Sequence, residues 1–119
     1  MDVQVLRIGN FVIDSKKRFV TIQGIGSLLD EVWVNYANGA GIYREGADKI
    51  KPIPLTEEII TKVEKLNECI YYLIKNDDKI GGYAIFLKKD NFYLRTVYNL
   101  HTLQNFHFVL TGNELEITL

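Results

Sequence analysis

The sequence predicts an α+β fold. A small β-barrel-like unit over residues 1–54 packs on an α-β-β-β-α-β unit over residues 55–119 that carries an antiparallel meander. Three observations predict it. The first half breaks into short runs of alternating apolar and polar residues, the pattern of strands with one buried face. Pro52 and Pro54 end that series, since each removes a backbone donor and restricts the residue before it. The second half opens on a capped helical pattern, followed by three strand-length runs and a second helical run. The connections are short, which predicts one core running through both units.

In chain order, "QVLRIGNFVI" is an apolar run with a turn at Gly9-Asn10, and "DSKK" is a charged turn. In "RFVTIQGI", Val20 and Ile22 point one way and Phe19 and Thr21 the other. "GIG" at 24–26 reads as a turn. "EVWVNY" alternates Val32, Val34 and Tyr36 against Trp33 and Asn35. "GIYRE" and "DKIKPIPL" are short strand candidates, and so many short strands suggest a bent barrel.

"PLTEEIITKVEKL" is the clearest helix. Thr56 can cap it, Glu57 and Glu58 suit the positive end of its dipole, and Ile59, Ile60, Val63 and Leu66 form one face. The strands "ECIYYLIK", "GYAIFLKK" and "NFYLRTV" follow, separated by the turns "NDDKIGG" and "KKDN". "LHTLQNFHFVLTG" is a helix ended by Gly112, and "ELEITL" a closing strand.

The composition excludes several classes of function. Fourteen basic side chains face fifteen acidic ones, so the chain lacks the positive field of a general nucleic-acid binder. The single cysteine, Cys69, cannot build a disulfide or a cysteine zinc site within one chain, and it suits a reducing cytoplasm. No apolar run reaches the length of a membrane span. The start "MDVQVLRIGN" lacks the features of a signal peptide, so the expected location is the cytoplasm.

"LRIGNFV" at the start, "IKPIPLTEE" in the middle and "YNLHTLQNFHFVLTGNELEI" at the end carry a resemblance that spans the chain. They resemble a family of small uncharacterised proteins of phages, prophages and Bacteroidota genomes, with LRIGN, PIPLTEE and H-LQN-LTG-EL motifs. Phe106 and His107 stand where such members show leucine and tyrosine. The resemblance implies a phage or mobile-element origin, hence a host cytoplasm, and carries no activity with it.

No catalytic or metal-binding set emerges, and no cofactor is expected. His101 and His107 are six positions apart, roughly 120° around a helix, so they cannot share a metal as an i, i+4 pair would. Both read as structural: His107 lies inside the apolar stripe of Leu100, Leu103, Phe106 and Leu110, and His101 on a flank with Gln104 and Phe108. The carboxylates belong to a helix start, to turns and to an alternating strand. No phosphate-loop, zinc-protease or nucleophile-elbow motif is present.

"NYANGAGIYREG", residues 35–46, is the main binding candidate. Its glycines let backbone N–H groups approach a phosphate, tyrosines can stack on a base, and an arginine can hold a phosphate bidentately. Asn38-Gly39 would suffice for a turn, and Ala40-Gly41 lengthen it. The candidate ligand residues are Tyr36, Asn38, Gly39, Gly41, Tyr43 and Arg44. Trp33 lies on the strand face opposite Tyr36, so only one of the two can share a wall with this segment. Tyr93 and Arg95, read on one face of the last meander strand, with Tyr98 just beyond, form a second polar–aromatic surface and add Arg95 and Tyr98 to the candidates. The expected function is a non-catalytic binding protein, with a small anionic ligand such as a nucleotide-derived signal of host antiphage immunity, captured by a homo-oligomer. The alternatives are an interaction module or inhibitor acting on a host or phage protein and, less favoured, a nucleotide hydrolase.

Overall fold

A computed structural model describes residues 6–28, 31–38, 41–67 and 69–119, leaving aside the side chains at 27, 28, 31 and 38. The opening residues of the "QVLRIGN" run lie outside the described residues. The fold is α+β, with two helices and two antiparallel sheets. The chain divides into two compact units, Met1–Ile53 and Pro54–Leu119.

The first unit is a four-stranded sheet in the order β1 (Phe11–Ile13), β2 (Phe19–Leu28), β3 (Glu31–Asn38) and β4 (Gly41–Gly46). Val20, Ile22, Val34 and Tyr36 alternate onto one face and form a core with Leu6, Val12 and Ile50, while Phe19 is 54% exposed on the other face. The predicted barrel does not close. β1 is only three residues long and its outer edge is taken by a bridge from Ile13 to Lys51, with N–H to O distances of 2.8 and 2.9 Å. The predicted strand "DKIKPIPL" begins inside a 3-10 turn at Ala47–Lys49 and reduces to two isolated bridges, Lys51 with Ile13 and Pro54 with Asn99, because prolines at 52 and 54 have no N–H to continue a ladder.

"GIG" is not a turn but part of β2. A register shift between Ile22 and Gly24 absorbs one residue, so Ile22 pairs with Tyr36 while Gly24 and Gly26 pair with Asn35 and Trp33. The bulge therefore puts both glycines on the face that carries Trp33.

The second unit holds α1 (Glu57–Leu66), the meander β5 (Tyr71–Lys75), β6 (Tyr83–Leu87) and β7 (Tyr93–Val97), and α2 (Leu100–Thr111). Thr56 caps α1 by accepting from the Ile59 N–H at 3.3 Å. Ile59, Ile60 and Val63 are buried as predicted, whereas Leu66, in the last turn, is exposed. On α2 the buried stripe is Leu100, His101, Leu103, Gln104 and His107. His101 and Gln104 thus lie in the core stripe rather than on a flank. Gly112 ends α2 with a positive φ of 76°, and its N–H bonds the Phe108 carbonyl.

"ELEITL" forms no strand. The Asn67 side-chain amide reaches across from the end of α1 and takes both backbone groups of Glu116: its Nδ2 donates to the carbonyl at 2.7 Å and its Oδ1 accepts from the N–H at 2.9 Å. A single side chain occupies the position a partner strand would need.

Candidate functional site

The glycine-rich stretch is a β-hairpin. Pairing runs without a shift from Trp33↔Gly46 to Asn38↔Gly41, so Gly41 belongs to β4 rather than to a long loop. Gly39, Ala40 and the Asn38 side chain lie outside the described residues. Alternation along β4 then divides the predicted ligand residues between two faces of the sheet.

Tyr43 pairs with Tyr36 on the core face. The two rings stack at 5.7 Å with 20° between their planes. Tyr36 is only 1% exposed, so it offers no face to a ligand. Its hydroxyl donates to Glu45 Oε1 at 2.6 Å, and Ser15 Oγ donates to the same carboxylate oxygen at 2.6 Å. Burial and the adjacent Glu45 carboxylate push the Tyr36 phenol well above its ordinary range. Burial alone would raise Glu45, but the hydrogen bonds from Ser15 and Tyr36 outweigh it and hold the carboxyl low.

Arg18 lies over the Tyr43 ring, its guanidinium carbon 5.2 Å from the ring centre. It is held there by Asp14, which is buried and accepts from Arg18 Nε at 2.7 Å and from the N–H groups of Arg18 and Lys16 at 2.8 and 3.0 Å. Burial would raise the Asp14 carboxyl, yet these bonds hold it below the usual range. The sequence reading missed Asp14, Arg18 and Glu45. The available signal was an aspartate four residues before an arginine across a turn, with Lys17 taking a positive φ of 63° to close it.

Arg44 pairs with Asn35 and faces the opposite side. Its guanidinium carbon lies 5.0 Å from the Trp33 ring centre. The indole itself lies flat on Gly26: a Cβ there would come within 2.9 Å of the ring. Asn35 covers Gly24 in the same way, with Nδ2 3.2 Å from where a Cβ would sit. The two strand glycines therefore make a flat bed for an aromatic plate, a planar cation and an amide. Arg44 is exposed, and among the described residues no carboxylate forms an ion pair with it. With one indole face on Gly26 and the other under Arg44, a planar ligand can stack on the outer side of the guanidinium, and an anionic group can bind at its edge.

In the second unit, a register shift between Ile85 and Phe86 separates the predicted surface. Arg95 pairs with Ile85 on the inner face, its guanidinium 5.8 Å from the Phe106 ring of α2. Tyr93 pairs with Phe86 on the outer face, where Tyr72, Phe86 and Tyr93 form an aromatic row with centroid separations of 5.4 and 5.7 Å. Tyr93 and Arg95 thus do not share a face. Tyr98 packs over Gly82 and lines a cleft of about 410 Å³ with Glu57, Lys75, Asp77 and Asp78. Three carboxylates against one ammonium make that cleft unsuited to an anion.

Three polar side chains of α2, His101, Gln104 and His107, are buried. His107 Nδ1 and the Tyr71 hydroxyl share a hydrogen bond of 2.7 Å, whereas His101 Nδ1 is buried without a partner among the described residues. Burial lowers both imidazoles, Glu114 opposing it weakly at His107, and burial raises the Cys69 thiol beside Tyr71. A thiol held protonated is not an activated nucleophile. Among the described residues no group of three or more His, Cys, Asp or Glu side chains could hold a metal ion, and no helix is long and apolar enough to cross a membrane.

No family model, curated protein or solved structure matches the chain.

Proposed function

We propose that the protein is a non-catalytic binding protein that takes up a planar anionic ligand of nucleotide type on the Trp33–Arg44 face of its first sheet. The observation that carries this reading is the exposed Arg44 guanidinium stacked on Trp33, without a carboxylate partner among the described residues. An arginine so placed keeps its in-plane donors for a phosphate and its outer face for stacking, while the indole beneath it holds the guanidinium in place. The resemblance to phage and prophage proteins supports a role in the host cytoplasm, where sequestering a nucleotide-derived signal of antiphage immunity is the matching activity. Fluorescence titration of the full chain with mono- and dinucleotides tests it. Saturable binding that Arg44→Ala weakens supports the reading, and affinity unchanged by that substitution removes it.

A second reading rests on the outer face of the meander. Tyr93 is 50% exposed beside Phe86 and Tyr72, and the neighbouring Phe92 is 60% exposed. Such a row suits an adaptor or inhibitor that binds a host or phage protein, with aromatic anchors carrying the energy. Tyr93→Ala would abolish such an interaction and leave nucleotide binding untouched.

A further inference from the structure

We infer that β4 pairs edge to edge with β4 of a second copy of the chain, antiparallel, with Tyr43 of one protomer opposite Tyr43 of its partner.

Among the described residues β4 is the last strand of its sheet, with pairing on the β3 side only. Free strand edges are usually blunted by a proline, a lysine, a bulge or a covering segment. The edge at β1 is covered by Lys51 and followed by Pro52, and the edge strand β7 lies beside a bulge. β4, "GIYREG", has no proline, no lysine and an unbroken register with β3, and the two charges it carries, Arg44 and Glu45, are of opposite sign. It exposes Ile42 at 82% and Tyr43 at 38% of their surfaces. Ile42 and Tyr43 are the apolar side chains of this edge that a partner strand would cover.

The strand's own charge pattern selects a second copy and a register. A twofold axis perpendicular to the sheet keeps both faces continuous, so the numbers of opposed residues must add to an even total. Two registers overlap the strand over five residues. Centring on Arg44 places the two guanidinium groups directly opposite each other, which is unfavourable. Centring on Tyr43 opposes Arg44 to the partner's Ile42, twice by symmetry, and Glu45 to the partner's Gly41, so no like charges meet. On the Trp33 side it lays each Ile42 beside an Arg44 stem. With one cation and one anion, the strand is electrically neutral and favours neither a basic nor an acidic foreign peptide.

Sedimentation velocity of the full chain over a dilution series tests the pairing. The wild type is expected to show a concentration-dependent dimer. Ile42→Lys places an ammonium opposite each Arg44 and should raise the dissociation constant roughly tenfold or more, the sum of two like-charge cross-strand pairs. Ile42→Glu places a carboxylate there and should lower it, and Ile42→Lys/Arg44→Glu should recover the dimer. Position 42 is open to solvent, so circular dichroism should show all variants folded. A wild type that stays monomeric throughout overturns the inference. So does a dimer that Lys and Glu at position 42 affect equally, because only this register opposes position 42 to a cation.

Discussion

Arg44 and Tyr43 are neighbours in sequence, yet they serve opposite faces of the first sheet: the guanidinium lies 5.0 Å from Trp33, while the phenol stacks on Tyr36. One residue of strand alternation separates a solvent-facing cation from a core-facing ring. Arg44→Ala should therefore remove about 1.5–3 kcal/mol of binding to a nucleotide ligand, the worth of charge-assisted hydrogen bonds. It should leave the melting temperature nearly unchanged, since an exposed arginine contributes little to folding. Calorimetric titration beside thermal denaturation separates the two effects, and a fall in melting temperature with unaltered affinity would refute the assignment.

Tyr36 should behave in the opposite manner. It is fully buried and its hydroxyl satisfies Glu45, so Tyr36→Ala should cost about 3–5 kcal/mol of stability and Tyr36→Phe about 1–3 kcal/mol, as Glu45 loses a donor. Chemical denaturation measures both. If Tyr36→Phe weakens ligand binding without lowering the denaturation midpoint, this tyrosine belongs to a site after all.

The contrast between these residues shows which parts of the fold were legible in the sequence. Helix α1 was legible because its cap, its acidic first turn and its apolar positions agree. The alternation of Val34 and Tyr36 against Trp33 was legible for the same reason, and it already required that Trp33 and Tyr36 line different walls. The bulges were not. Neither the shift beside Gly24 nor the one beside Phe86 has a local signature strong enough to predict, yet each changes which side chains share a face. The second one parted Tyr93 from Arg95. The last segment misled because "ELEITL" alternates as a strand does, while its backbone bonds to the Asn67 side chain, 49 residues away. The Asp14–Arg18 pair was hidden because its residue types are those of any charged turn.

Acid should destabilise the protein in two steps. His101 and His107 have imidazoles lowered by burial, so the unfolded chain binds more protons than the folded one below the ordinary histidine value of about 6.5. Stability is full above that value and falls as the pH drops through it. The carboxyls of Asp14 and Glu45 are held low by their donors, so their contribution persists until the pH falls below the ordinary carboxylate range of about 4 and is then lost. Melting temperatures measured from pH 8 to 3 should show both declines. His101→Gln should flatten the first and spare the second. An unchanged slope between about pH 6.5 and 5 would show that the buried ring at 101 does not govern it.

Gly26 provides the sharpest test of the proposed face, because it touches the site through Trp33 alone. A Cβ at this position would sit 2.9 Å from indole atoms Cε2 and Nε1, closer than a rigid ring tolerates, so Gly26→Ala should force the indole off its bed. The strain should cost about 1–3 kcal/mol of stability. Trp33 is the only tryptophan in the chain, so its emission reports the displacement directly and should shift to longer wavelength as the ring meets more water. Nucleotide binding should weaken with it, by up to the stacking contribution of about 1–3 kcal/mol, because the Arg44 guanidinium loses the ring it rests on. Gly24→Ala is the control. There the nearest atom is the amide nitrogen of Asn35 at 3.2 Å, which can rotate away, and the indole should stay where it is. A Gly26→Ala protein with displaced emission and full affinity would mean that the ligand does not need the guanidinium held on Trp33, and would leave Arg44 as a point contact rather than part of a platform.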